Sequence, residues 1–460
     1  MIRITLAAAA GLLIAAPANA QSISQSDLQD RYDRALAAGY KAMFLCSAIA
    51  NAERNGATRT PESVMEWELT GIQAPLDDIV RRLPHRITYR IDPERPQMAP
   101  EVDMVAVEWA EGAEPRVARH LSGRGCAIYP IGTEDIETPE GERARSLAPR
   151  MFVHTMPSPT QPVADLALTD QYGVDARTTQ ILIRHNTRLA AYATADGWEP
   201  GPQRTWSVAK SIAATLVGAA VQRGEVNVMD SAGLGESDED PRRAITIDQL
   251  LRMASGRYSD TPGNRTDPLY FGGATVDEVA LDWPLIHEPG SVYRYANNDT
   301  LAAIAAIEHT FQEHSPAELF DRLDMTGAVA ETDWQGNYVL SSQVWATAND
   351  LLNLGELHLR DGVWGGERIL PEGWVEYISS PAGPQPGGSR GWGYGAGWWL
   401  LNNSEGIPPD TFMAAGNRGQ YIVVVPSRDV VIVRRGEDPA GGSGFDIVAF
   451  TRDVLAALDE

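Results

Sequence analysis

The sequence predicts an α+β chain: an antiparallel sheet flanked by helices, interrupted by an inserted α-helical domain, and preceded by a smaller α/β extension. Three observations carry that reading. Strand-like runs stand on both sides of a long helical stretch, Gln180–His185 and Leu189–Ala193 before it, Gln420–Val425 and Val430–Arg434 after it. Strands that bracket a helical middle imply one sheet completed only by the end of the chain. A separate mixture of helices and short strands, residues 21 to about 160, leads into the Pro-rich segment Met156-Pro157-Ser158-Pro159 with Pro162, which reads as a linker. The expected division is therefore 1–20, 21–163 and 164–460.

The first twenty residues stand apart. Arg3 is their single charge, an apolar run spans Ile4 to Ala16, and Ala18-Asn19-Ala20 fits a cleavage site. The run is shorter than the ~20 residues a membrane span needs. It reads as a cleavable signal peptide, with a mature chain from about Gln21, secreted or periplasmic and without a membrane span.

Elements of the extension follow in order. Ser26-Asp27-Leu28 can cap a helix to about Asn55, and Thr60-Pro61-Glu62 opens another through Trp67. Strands are expected at Arg86–Ile91, Asp103–Trp109, Arg116–His120 and Cys126–Ile131. The only cysteines are Cys46 and Cys126. Export would expose them to oxidising conditions, where they can pair as a disulfide; two buried free thiols are the alternative.

In the second unit, Asn186-Thr187 reads as the turn between the first two strands. Helices then dominate to about Ser379. Strands return at Trp392–Leu401 and in the two later runs, and a last helix is expected over Phe445–Leu458.

Ser207-Val208-Ala209-Lys210 opens an apolar helical run. Three residues is about one helical turn, so Ser207 and Lys210 project from one face. A lysine stripped of water loses basicity and can accept the proton of a serine hydroxyl. An isolated S-x-x-K is equally satisfied by a capping serine and a solvated lysine. Tyr295-Ala296-Asn297 follows 88 residues after Ser207. Tyr295 can serve as base or proton relay, and Asn297 offers both donor and acceptor to Lys210 or to a substrate. Gly416-Asn417-Arg418-Gly419-Gln420 opens a strand; glycines there admit close approach of a ligand, and the N–H groups of Asn417 and Ser207 can form an oxyanion hole.

S-x-x-K, then Y-x-N, then a Gly-rich turn opening a strand resembles the motif order of serine β-lactamases and penicillin-binding proteins, most nearly the class C-like branch with family VIII esterases and 6-aminohexanoate-dimer hydrolase. Leu250–Gly256, Pro289–Asn297, Trp345–Leu351, Gly362–Val375 and Gly393–Trp399 also resemble family segments, so the likeness spans about 165–458. The resemblance implies a β-lactamase-like fold. It implies Ser207 as nucleophile, Lys210 as its base, Tyr295 in proton transfer, Asn297 holding the site, and Gly416-Asn417 giving the second oxyanion N–H. The extension is similar to one in some members where Cys46-Ser47 and Gly125-Cys126 recur, which favours the disulfide.

One departure bears on substrate. The family's third motif carries Lys-Thr-Gly or a close variant; here the corresponding residues are Ala414-Ala415-Gly416. The cation that would hold a substrate carboxylate is missing there, unless Arg418 replaces it. Three function classes follow: a secreted serine hydrolase of small esters or amides, favoured by this departure; a β-lactamase or D,D-peptidase acting on cell-wall-like substrates; and a catalytically silent binding module, disfavoured by the intact Ser/Lys/Tyr set.

The remaining features are bland. A net charge of -24 excludes nucleic-acid and anionic-membrane partners. The eight histidines show no ligand spacing, so no metal and no cofactor is expected. Gly387-Gly388-Ser389-Arg390-Gly391 mimics a nucleophile elbow but lies in a Pro/Gly-rich loop. Trp206, Trp392, Trp398 and Trp399 are candidates for an apolar pocket wall, and His287 for its lining.

Overall fold

Helix α1 (Gln25–Arg54) sets the frame of the N-terminal part. It belongs to a computed structural model that describes residues 24–91, 100–133, 158–259, 266–388 and 390–460. The expected signal segment 1–20 and much of the linker lie outside these residues. The cap is Ser24 rather than Ser26: its hydroxyl accepts from the Asp27 N–H at 3.1 Å, and the Asp27 carboxylate accepts in return from the Ser24 N–H. From Ala35 to Ala52 every residue of α1 is buried. A helix apolar on all sides needs partners on all sides. It is the one described helix long and apolar enough to cross a membrane, and its most apolar stretch is wholly buried inside the protein.

One set of partners is a four-stranded antiparallel sheet, β1 (His85–Arg90), β2 (Glu101–Val107), β3 (Arg116–Leu121) and β4 (Gly125–Ile128), joined in that order. A Cys46–Cys126 disulfide ties α1 to β4. The other set comes from later in the chain. Tyr40 stacks on Phe271 at 4.2 Å between ring centroids, and Phe44 lies 5.9 Å from both Trp206 and Trp345. The extension and the later part thus share one apolar core.

The large sheet has seven antiparallel strands: β5 (Thr178–His185), β6 (Arg188–Thr194), β7 (Gly393–Tyr394), β8 (Trp399–Leu400), β9 (Phe412–Gly416), β10 (Gln420–Val425) and β11 (Val430–Gly436). Their order is β7-β8-β9-β10-β11-β5-β6, so the last strand pairs with the first. Asn186 and Thr187 both adopt positive φ, 49° and 65°, as the tight β5–β6 turn requires.

Alternation sorts the sheet's two faces. Leu182, Ile422, Val424, Val431 and Val433 join the core containing helices α2 (Val208–Arg223) and α4 (Ala348–Leu359). Ile181, Ile183, Val423, Val425 and Ile432 face the opposite core, closed by α5 (Ile447–Ala457). Helix α3 (Asn297–Ile307) belongs to the intervening helical region. Trp392–Leu401 is not one strand. It breaks into β7 and β8 around Gly397, whose φ is +76°. β9, absent from the sequence reading, fills the position beside them.

A methyl group on Gly39 of α1 would lie 1.8 Å from the Phe271 carbonyl oxygen. Gly39→Ala is therefore expected to destabilise by about 1–3 kcal/mol, although alanine is the better helix former. The measurement is urea unfolding followed by tryptophan fluorescence; an unchanged midpoint would contradict this close approach.

Candidate active site

Ser207 stands at the junction between a strand and a helix. Gln203–Arg204 pairs with Val344–Ala346, and Trp206 then turns the chain with a φ of 51°, uncommon for a non-glycine residue. The Ser207 hydroxyl makes no capping bond to α2. It is 3.1 Å from Lys210 Nζ instead.

Lys210 is 1 % exposed. Its Nζ donates to Asn297 Oδ1 at 2.6 Å and to the Ser341 carbonyl at 2.9 Å. The Asn297 amide nitrogen donates to Thr266 Oγ1 at 3.1 Å, which turns its oxygen toward the lysine. Burial lowers the Lys210 pKa to about 7. Among the described residues no carboxylate pairs with it. Two carbonyl acceptors and one hydroxyl match the inventory of a neutral amine, two N–H donors and one lone pair. The lone pair then faces Ser207.

Tyr295 is partly exposed beside this pair. Lys210 Nζ lies 5.0 Å from its ring centroid, and Trp399 and Tyr394 lie 5.4 and 5.9 Å from the ring. Burial holds the phenol well above its ordinary pKa, partly opposed by hydrogen bonding with the Ser207 hydroxyl. At neutral pH it is an O–H, not a phenolate.

The Gly416–Gln420 hairpin turn completes the site. A Cβ on Gly416 would lie 2.4 Å from the Thr205 carbonyl and 3.2 Å from the Ser207 nitrogen, so glycine alone permits β9 to run this close. Arg418 (φ 58°) and Gly419 (φ 80°) close the turn. Arg418 does not turn its guanidinium to the position of a third-motif cation. That group is buried, pairs with Glu437 at 2.8 Å, and donates to the carbonyls of Trp67, Glu68 and Thr70.

Ser207, Tyr295, Asn297, Gly416 and Asn417 all line one open cavity of ≈ 770 Å³. Trp206, Trp392 and Trp399 supply apolar wall, as expected of them, whereas Trp398 is fully buried in the core and His287 is not among the lining residues. Exposed Arg390 stacks over Trp392 at the rim. Ser389 lies outside the described residues. Asn298 of the sequon Asn298-Asp299-Thr300 is buried and donates to the Val279 carbonyl, so it is no acceptor for a sugar. Among the described residues no group of three His, Cys, Asp or Glu side chains could hold a metal ion.

Several residues of the site escaped the sequence reading. Ser341 and Thr266 act through backbone or single-hydroxyl contacts that leave no motif. Gln73 comes from the extension and still lines the cavity.

A split antiparallel sheet with a serine, a buried lysine and a tyrosine at one cavity defines a serine hydrolase of α+β fold. The beta-lactamase family model matches residues 202–434, just over half of the chain, and the chain belongs to that family. The 6-aminohexanoate-dimer hydrolase of Paenarthrobacter ureafaciens is 25% identical over 289 residues, 56% of this chain and 72% of the relative. Two solved structures share the fold. A Bacillus anthracis chain described as a 6-aminohexanoate-dimer hydrolase matches with a TM-score of 0.52 and 19% identity, over 61% of this chain and 78% of its own. A Bacteroides dorei chain described as a beta-lactamase matches with a TM-score of 0.53 and 18% identity, over 65% of this chain and 99% of its own.

The lowered Lys210 pKa has a consequence for stability. Between about pH 7 and the ordinary lysine value the unfolded chain holds a proton that the folded chain has released, so this group makes stability rise with pH. Lys210→Met removes that contribution. The variant's stability relative to the parent is expected to worsen from pH 6 to pH 9, read from urea midpoints. Parallel pH dependences would show that Lys210 is not desolvated as described.

Proposed function

We propose that this chain hydrolyses small esters or amides through an acyl-enzyme on Ser207, with Lys210 as general base. The observation that carries this reading is the buried lysine whose two N–H groups are engaged by Asn297 and Ser341, which leaves its lone pair to the Ser207 hydroxyl. The Ser207 oxygen attacks the substrate carbonyl carbon as its proton passes to Lys210 Nζ. The carbonyl π pair moves onto oxygen, where the N–H groups of Ser207 and Asn417 stabilise the negative charge. Collapse expels the leaving group, and Tyr295, still protonated at neutral pH, hands it a proton replaced from Lys210. Water then attacks the acyl ester by the same steps in reverse order, releasing the acid and restoring the serine.

Alanine at 414, where the family carries lysine, favours substrates with no carboxylate next to the cleaved bond. Arg418, already held by Glu437 and the extension, does not replace that lysine. The names of the relatives point to linear amides as well as β-lactams. The division into an extension (21–163) and a catalytic domain (164–460) belongs to this reading. So does export by an N-terminal signal, for which the Cys46–Cys126 bond speaks.

Ser207→Ala and Lys210→Ala are each expected to lower kcat/KM toward p-nitrophenyl butyrate by about 10⁴-fold or more, and Ser207→Ala should abolish labelling by a fluorophosphonate. Near-parental turnover in either variant would remove the assigned roles. Nitrocefin turnover exceeding that of the ester would instead favour a β-lactamase.

The pH dependence follows from the same lysine. Its neutral form is the active one, so kcat/KM for an uncharged ester should rise through about pH 7 and then level off. A profile flat from pH 5 to 9 would exclude Lys210 as the base.

A further inference from the structure

The N-terminal extension reaches the substrate cavity through a short segment that nothing in the catalytic reading uses. Gln73 lines the cavity together with Ser207 and the Asp438–Gly444 loop. The segment before it is tightly held. The Asp77 carboxylate accepts from the N–H groups of Gly71 and Ile72 at 2.7 and 3.2 Å, and Ile72 and Leu76 are buried. The Gly71 carbonyl accepts from Ala440 N–H at 2.7 Å, which pins the segment to the cavity loop.

A second tether runs to the hairpin turn beside Ser207. Arg418 follows Asn417 directly, and its guanidinium donates to the carbonyls of Trp67, Glu68 and Thr70 at 3.2, 3.0 and 2.7 Å. Its own carbonyl accepts from Asp438 N–H at 3.2 Å. One arginine thus clamps the extension, the turn and the cavity loop together. Within that clamp the Gln73 side chain is half-buried, and its amide bonds to no described residue of the protein. A primary amide held at a cavity wall with donors and acceptor unused is suited to a neutral hydrogen-bonding group.

We infer that Gln73 is a specificity-determining residue of the hydrolase, supplied by the extension and positioned by Arg418, and that it selects substrates bearing a neutral amide-like group away from the bond that is cleaved. This inference rests on the proposed Ser207 chemistry. It gives the extension a part in substrate choice rather than in bond cleavage.

The test compares p-nitrophenyl acetate with pairs of activated esters of equal length, one member carrying a secondary amide and the other an alkyl chain. The amide is placed first in the acyl part, then in the leaving group. The parent should prefer the amide-bearing member of at least one pair. Gln73→Leu keeps the bulk and removes the hydrogen bonds; it should lower kcat/KM for the preferred member by about tenfold, the worth of one neutral hydrogen bond. The loss should appear in KM, as for binding that does not change in the transition state. Turnover of the acetate should stay within about twofold. Equal changes for every substrate, or no change in any pair, would overturn the role of Gln73. Fluorophosphonate labelling separates the two readings. A parent labelled at Ser207 whose Gln73→Leu variant discriminates as the parent does leaves the nucleophile standing and removes this inference; a parent unlabelled at Ser207 removes both.

Discussion

Removal of one ammonium group from water, with no anion beside it, is the condition on which the site rests. Near a carboxylate, Lys210 would stay charged and useless as a base at neutral pH. Here desolvation alone brings it to about 7. That state costs folding free energy, because a lysine is held neutral where water would charge it. The groups that meet it are correspondingly apolar or neutral hydrogen-bond acceptors. Helix α2 is buried from Val208 to Ala220, and the acceptors come from an oriented amide and a backbone carbonyl. Carbonyls solvate the two N–H groups without adding a negative charge that would raise the pKa again.

The proposed chemistry also requires that the β9–β10 turn present an N–H beside Ser207 without drifting. Buried arginines meet it. Arg435 joins the carbonyls of Gln203, Arg204 and Ala346 to the Gln420 side chain, so the strand that leads to Ser207 and the strand that leaves the turn are bolted to one planar group. Arg434 donates to the Gly419 carbonyl and pairs with Asp438. Guanidinium suits this work because its five donors lie in a fixed plane, where a lysine would offer one flexible point charge. Gly419 is held to glycine twice over, by a φ of 80° and by Arg434, whose guanidinium occupies the place of a Cβ.

How much of this is legible in the sequence depends on the range of the interaction. The β5–β6 hairpin is written locally in Asn186-Thr187 and alternating apolar residues, and the split sheet follows from strands at both ends of a helical middle. The Ser207/Lys210 pairing follows from helical spacing, because one turn places the two side chains on one face. Cap positions slipped where two serines compete: Ser24 and Ser26 both stand at the start of α1, and only the reciprocal bond with Asp27 makes Ser24 the cap and leaves Ser26 inside the first turn. β9 was missed because Phe412-Met413-Ala414-Ala415-Gly416 has little alternation and takes its strand form from β8 and β10 on either side. The direction of Arg418 was not readable at all. Its partners are carbonyls some 350 residues away in sequence, and a carbonyl has no sequence signature.

That last contact also changes the meaning of the extension. A part joined only by a linker would leave the cavity unaffected by its presence. Here α1 supplies Tyr40 and Phe44 to the core directly behind Trp206, the residue whose left-handed backbone aims Ser207. Glu331, from the hydrolase part, accepts from the Cys126 N–H of β4 and from Trp345 Nε1, and so ties the disulfide-bearing strand to the wall behind the site. The strained turn at Trp206 persists only if its surroundings over-determine it. Part of those surroundings comes from the extension. The disulfide then has a mechanical reading: by fixing β4 to α1 it holds Glu331's partner and the aromatic wall as one body, and the precision of the serine is set in part by residues that precede it by more than 150 positions.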